Sequence, residues 1–267
     1  MNESSSFTPR SQDRRQKAQT AAKQKKKKKN SLVLNLLLVF FCAVFLFAAY
    51  KLVSQFLVYN QAVSEYDKVR QAAGVSEEEQ TVPRPDFQAL SAMNPEVVGW
   101  VTVPDTAISY PVVQAKDNEK YLHTTFEGKK NSSGCIFMDK DSKADASGQH
   151  TILYGHNMKN GSMFHELVQY KKADFFNAHP IIYYDTPQGR ITLRVIAAYA
   201  ADATEAYNFI FSDLDSLHSF VAKAIKRSPV KLEDVNANAV DKIFSLQTCS
   251  YETDNSRTYV LAVPVEE

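Results

Sequence analysis

The sequence predicts a mainly β domain, a barrel or a sandwich, behind a single N-terminal transmembrane helix. Three observations carry this. Ser31–Tyr50 (SLVLNLLLVFFCAVFLFAAY) is almost unbroken apolar sequence, and about 20 such residues in a helix span the hydrocarbon core. Beyond Phe87 the chain falls into short stretches rich in Val, Ile, Tyr and Phe, bounded by Pro, Gly, Asn and Asp, the pattern of strands. Only one strong amphipathic helix interrupts them, Ser212–Ser228, and many strands with few helices fit a barrel or sandwich.

Residues 1–30 hold ten Lys/Arg against Glu3 and Asp13, a net +8, while the remaining residues sum to −7 within a total of +1. A basic tail of this kind serves nucleic acid or a membrane surface. The apolar run directly after Lys25–Lys29 decides for the membrane, so nucleic-acid binding is not expected. Nothing in the tail could build a core, and it is expected to be disordered and cytoplasmic. Residues 31–50 form the anchor, with the lysines on its cytoplasmic side and everything after Lys51 outside. A cleaved signal peptide is the competing reading. Its apolar region is typically about 7–15 residues long with a small-residue site behind it, and Ala48-Ala49-Tyr50 matches that poorly. Residues 51–86 read as a juxtamembrane helix over 52–72 followed by an acidic, Pro-containing linker, Gly74–Asp86. Residues 87–267 are then the folded domain, large enough for a sizeable core.

Within that domain the expected strands are Gly99–Val103, Ser109–Val113, Cys135–Met138, His150–Tyr154, Ile181–Asp185, Arg190–Tyr199, Lys242–Thr248 and Thr258–Val263. TPQG at Thr186–Gly189 supplies a hairpin turn. In the helix Ser212–Ser228, Leu214, Leu217, Phe220, Val221 and Ile225 form one stripe, with Ser212 and Asp213 as the N-terminal cap. A shorter helix is expected at Ser162–Tyr170.

The segment KIFSLQTCSYETDNSRTYVLAV carries the chemistry. If its two strands pair as a hairpin, Cys249 and Arg257 stand opposite each other at the mouth. A guanidinium favours the reactive thiolate and donates hydrogen bonds to an oxyanion. A Cys and an Arg alone more often mean a buried small hydrophobe and a solvated cation, but a strand end among polar groups is a poor place for a core thiol. The three cysteines form no disulfide framework: Cys42 lies in the membrane segment, and Cys135 reads as a buried, inert strand thiol. A nucleophilic Cys also needs an acid/base, normally His. His156, emerging from TILYGHNM into a turn, is the best placed of six. His123 and His165 fall in expected helical segments, His179 precedes a Pro, His218 lies on the polar side of its helix, and His150 is expected to be exposed.

YGHNM at Tyr154–Met158, LQTC at Leu246–Cys249 and Arg257 eight residues on resemble the His, (T/S)LxTC and Arg motifs of sortases. NPEVVGWVTVPDTAISYPVVQ (Asn94–Gln114), the YLH and GCIFMD segments and GSMFHELVQYKKADFF (Gly161–Phe176) resemble the class B subgroup, as does the helix between late strands. Ser-Leu-Gln-Thr-Cys stands where Thr-Leu-Ser-Thr-Cys is more usual, which leaves the nucleophile and its preceding Thr in place. The resemblance implies an eight-stranded β-barrel with peripheral helices. It implies a transpeptidase that cleaves an Asn-Pro-x-Thr-x sorting signal of secreted surface proteins after Thr, with Cys249 as nucleophile, His156 as acid/base and Arg257 as oxyanion partner. The acceptor would be an amine of a peptidoglycan precursor or a pilin. Thr248, Tyr251 and Glu252 are candidate substrate contacts, although Thr248 serves equally as an ordinary β-branched strand residue.

No cofactor or metal is expected. DKDSKADASGQH (Asp139–His150) has alternating Asp residues, but Ala144 and His150 stand where a calcium loop needs Gly and Glu, so a solvated turn is the better reading. No paired ligand spacing for zinc and no phosphate loop is present. Two other readings stay open: a cysteine peptidase passing the same acyl group to water, and a non-catalytic surface-binding module on a membrane stalk.

Overall fold

The computed structural model describes residues 10–75, 82–202, 210–249 and 255–265. The chain forms two compact units, Met1–Leu57 and Val58–Glu267. Helix α1 runs Arg10–Ala72 and includes the segment 10–30, where composition led us to expect disorder. Ala, Lys and Gln favour helical backbone even where no core exists to bury them. Among the described residues this is the one helix long and apolar enough to cross a membrane, with a mean hydropathy of 2.5 over its most apolar stretch and Phe40, Phe41, Phe45 and Leu46 exposed.

The second unit is a closed eight-stranded barrel with peripheral helices. After α2 (Phe87–Met93) come β1 (Val97–Thr102), β2 (Ser109–Val113), β3 (Ile136–Met138), β4 (His150–Tyr154), α3 (Ala173–Ala178), β5 (Ile181–Asp185), β6 (Arg190–Asp202), α4 (Leu214–Arg227), β7 (Ile243–Cys249) and β8 (Ser256–Pro264). Around the barrel the order is β1-β2-β3-β4-β7-β8-β6-β5. Two pairs are parallel, β2 with β3 and β4 with β7, and the others antiparallel. All eight expected strands are present. Closure removes the exposed edges that an open sheet would present.

Strand alternation builds two cores. Trp100, Tyr184, Phe244, Leu246, Val260 and Ala262 fill the barrel. The opposite faces of β6, β7 and β8 offer Ile196, Tyr199, Ile243, Tyr259 and Leu261 to Leu217, Val221 and Ala224 of α4. Asp213 caps that helix by accepting from Ser216 N at 2.8 Å. Leu214, counted in the expected stripe, is exposed.

A bidentate ion pair ties the far end of the β5–β6 hairpin. Asp185, fully buried, accepts from Arg190 Nε and Nη2 at 3.0 and 2.9 Å, with Arg84 Nε at 3.6 Å. Arg190 also donates to the Val82 and Pro83 carbonyls, so the described end of the expected linker lies along the barrel; residues 76–81 fall outside the described residues. Asp86 caps α2 through Gln88 N and Ala89 N.

Three further details depart from expectation. The helix expected at Ser162–Tyr170 is a 3-10 segment, His165–Lys171, followed by α3. Gly161 and Met163 have φ of 86° and 60°, backbone that an α-helix cannot continue. His150 is buried: its Nε2 lies 2.7 Å from Ser245 Oγ and its ring stacks on Phe211, because the alternation of β4 turns it toward the face that α4 covers. Asp139 is also buried, at the head of the loop expected to be a solvated turn. It accepts from Asn118 Nδ2 and the Tyr154 hydroxyl, both at 2.8 Å.

Candidate active site

At one end of the barrel the parallel pair β4/β7 and the antiparallel pair β7/β8 bring three chain segments together. Tyr154 of β4 is in register with Gln247 of β7, and Gly155 N donates to Gln247 O at 3.1 Å. The two strands therefore run out side by side, β4 toward His156 and β7 toward Cys249. On the other side of β7, Cys249 is in register with Arg257 of β8. The hairpin read from the sequence is thus the observed one, and directly opposed residues in such a pair have Cα atoms about 4.5–5.5 Å apart. Of Cys249 the backbone is described. Tyr251 and Glu252 lie outside the described residues.

A cleft of about 430 Å³ opens at this end, lined by Asn118, Leu122, His123, Tyr154, His156, Gln247, Thr248 and Arg257, among others. Gly155 lets the chain enter it, since a Cβ there would collide with the Phe164 ring and Ile136 Cδ1. The backbone then turns, and Phe164 N closes the turn by donating to His156 O at 3.0 Å.

His156 is half-buried. Its Nε2 lies 2.7 Å from the Leu122 carbonyl oxygen. A carbonyl only accepts, so Nε2 carries the hydrogen and Nδ1 is the nitrogen left to take or give a proton. The exposed ring of His123 stacks on it, with centroids 6.0 Å apart and planes at 17°.

Arg257 is half-buried, donates from Nη1 to Ser256 O at 3.2 Å, and pairs with no carboxylate among the described residues. A guanidinium that no described carboxylate neutralises, opposite a cysteine in a strand pair, is a group that can favour a thiolate. The same group presents further N–H donors to an anion formed in the cleft.

Behind the wall, Asp139 holds Asn118 and Tyr154 from below. Burial, together with the adjacent Asp139 carboxylate, pushes the Tyr154 hydroxyl well above the usual phenol range, so Tyr154 is a neutral donor rather than a base. Thr248 is 2% exposed, and its hydroxyl has no hydrogen-bond partner among the described residues.

Cys135 stands apart. It is 1% exposed, and burial pushes its thiol from 9.0 up to about 12. Such a thiol stays protonated and unreactive.

Sequence reasoning missed Asn118, Leu122 and His123. Leu122 contributes its backbone carbonyl, which no side-chain pattern signals. His123 was set aside as helical, but it follows the 3-10 turn Lys120–Leu122 and so faces the cleft. Its place as the last residue of the quoted YLH segment was the available signal.

Residues 101–265 match the family described as Sortase domain. The chain is 32% identical over 235 residues to Sortase B of Staphylococcus aureus, covering 86% of this chain and 94% of that protein. It is similar to the solved structure of sortase B from Bacillus anthracis in complex with AAEK1, with a TM-score of 0.69 and 36% identity over 79% of this chain and all of that one. The Staphylococcus aureus sortase B–substrate complex gives a TM-score of 0.69 at 30% identity, over 79% and 99% of the two chains.

Proposed function

Because the chain belongs to the sortase family, in its class B, and is a cysteine transpeptidase, we propose that Cys249, His156 and Arg257 carry its reaction on sorting-signal peptides of the Asn-Pro-x-Thr-x type. The observation that carries this reading is the register of β7: Cys249 opposite Arg257 on one side, and the exit of β4 into His156 on the other. The solved substrate complex of the Staphylococcus aureus relative supports a peptide as the ligand of the cleft.

In this reading the Cys249 thiolate attacks the Thr carbonyl carbon, and the C=O electron pair moves to oxygen. Arg257 donates to the resulting oxyanion. The scissile C–N bond then breaks as His156, in its imidazolium form, delivers a proton to the departing amine. A thioester remains on Cys249. An incoming amine attacks it, His156 takes the amine's proton, and thiolate leaves as the new amide forms. Thr248, whose hydroxyl is buried in the free enzyme, turns it toward the bound peptide, and Tyr251 and Glu252 are further substrate contacts. The acceptor is an amine of a peptidoglycan precursor or a pilin.

The cellular arrangement is read from the N-terminal third. The apolar part of α1 is a single-pass anchor over 31–50, with the lysine-rich residues 1–30 cytoplasmic and the domain outside. Residues 51–86 connect the anchor to the catalytic domain, 87–267. The anchor holds the enzyme where exported substrates and lipid-linked precursors meet.

The test uses the full chain in detergent micelles with an Asn-Pro-x-Thr-x peptide, with and without an amine, followed by intact mass. A thioester adduct mapped to Cys249 and resolved by the amine into a new amide is expected. Cys249→Ala should form no adduct while keeping its melting temperature. Turnover by that variant would overturn the assignment.

A further inference from the structure

Residues 58–72 of α1 belong to the same compact unit as the barrel, and they grip one loop of it, residues 121–134. The Tyr66 hydroxyl donates to Gly134 O at 2.6 Å. Glu65, 4% exposed, accepts from Glu127 N at 3.0 Å and has Lys129 Nζ at 3.4 Å. Asn131 Nδ2 donates to Val58 O at 3.0 Å. Positions 58, 65 and 66 share one helix face, since seven residues make about two turns.

The other end of the same loop is the wall of the cleft. Leu122 O receives the His156 Nε2 hydrogen, and His123 supplies the ring stacked on His156. Two backbone bonds tie the loop's halves together, Cys135 N to Tyr121 O and Asn131 N to His123 O, both at 3.0 Å. Gly134, whose carbonyl Tyr66 holds, has a φ of 57°, and a Cβ there would meet Leu122 O at 2.7 Å. The residue fixed by the helix therefore packs so near the carbonyl that fixes the histidine that not even a Cβ fits between them.

We infer that Tyr66 and Glu65 are positioning residues for His156, acting through the 121–134 loop. They touch neither substrate nor reacting atoms. Their role is to keep Leu122 O where it selects the His156 tautomer and aims Nδ1. This rests on the reading of His156 as the acid/base. A buried carboxylate spent on a loop amide, and a phenol spent on a loop carbonyl, are costly ways to secure a helix that apolar contacts alone could hold.

The experiment uses the full chain in detergent with Tyr66→Phe, Glu65→Ala, Glu65→Gln and, as reference, His156→Ala. Three readouts are taken: kcat and KM for the peptide, the pH–rate profile, and the His156 ring resonances in histidine-labelled protein. Tyr66→Phe and Glu65→Ala should lower kcat roughly tenfold, within the ~100-fold that an ångström of misplacement can cost. KM should hold, and the His156 resonances and the pH–rate limb should move. Glu65→Gln keeps an acceptor for Glu127 N and should restore most of the rate.

Unchanged His156 resonances in both Tyr66→Phe and Glu65→Ala would overturn the inference, even if activity fell with stability. So would a Glu65→Gln variant as impaired as Glu65→Ala. Normal turnover by His156→Ala would remove the acid/base reading itself. The resonance shifts would still report whether the helix positions that ring.

Discussion

Replacing Thr248 with valine exchanges a hydroxyl for a methyl at a position 2% exposed on the lining of the cleft. That hydroxyl has no partner among the described residues. Leaving a buried polar group unsatisfied costs about 1–3 kcal/mol, so its removal should stabilise the free enzyme, offset in part by the poorer fit of a methyl in a space shaped for oxygen. We take a net gain of ~1 kcal/mol, which in a unit of this size raises Tm by roughly 2–4 °C. In the peptide complex the balance reverses. A hydroxyl that turns from the lining to bond the substrate contributes about 0.5–1.5 kcal/mol there, roughly a two- to thirteenfold fall in kcat/KM when it is lost. Calorimetry of the full chain in detergent and steady-state transfer with a sorting-signal peptide measure both. A lowered Tm would show that the hydroxyl has a partner in the free enzyme. An unchanged kcat/KM would make Thr248 a packing residue and end the substrate-contact reading.

The other predictions concern charge and protonation. Arg257→Lys should lose most transfer activity with little change in Tm, because an ammonium cannot reproduce the planar two-donor fork; near-normal turnover would make Arg257 structural. Asp185→Asn strands Arg190 and weakens its grip on Val82 and Pro83, and breaking a buried pair costs about 3–5 kcal/mol, which chemical denaturation should register as a lower midpoint. Cys135 keeps its proton in the folded state up to about 12 against an ordinary 9.0. Its contribution to stability is therefore whole below pH 9 and is lost as pH rises from there toward 12. Brief maleimide treatment at pH 8, read by peptide mapping, should label Cys249 and spare Cys135 until the protein is unfolded.

The β architecture was legible because every strand combines β-branched or aromatic residues with clear punctuation. Ser109–Val113, His150–Tyr154 and Ile181–Asp185 fall at the expected bounds. The Cys249–Arg257 opposition was legible for a similar reason, since two strands with a short polar loop fix their own register. What could not be read was contributed by pairing across the barrel. The burial of His150 depends on which face α4 covers, and no local pattern reports that. The role of Leu122 lies in a backbone carbonyl, and Asn118 gains its meaning from Asp139, which looked like part of a solvated turn. His123 shows the limit of local reading: taken as helical, it proved to be the stacking partner of the histidine beside it. The helical backbone of residues 10–30 shows that charge composition predicts the absence of a core better than the absence of local structure.

The parallel pairing of β4 with β7 has a consequence for the history of the enzyme. Parallel neighbours cannot be joined by a tight turn, so the two strand ends that bear His156 and Cys249 meet only when the intervening β5–β6 hairpin and the helices around it are in place. Contacts of such long sequence separation form late and together. Until then the cysteine is an ordinary thiol, mostly protonated at neutral pH, with no guanidinium across from it and no imidazole alongside. If Cys249 is the nucleophile proposed above, a newly made chain carries that thiol unarmed, and closing the barrel is the step that arms it.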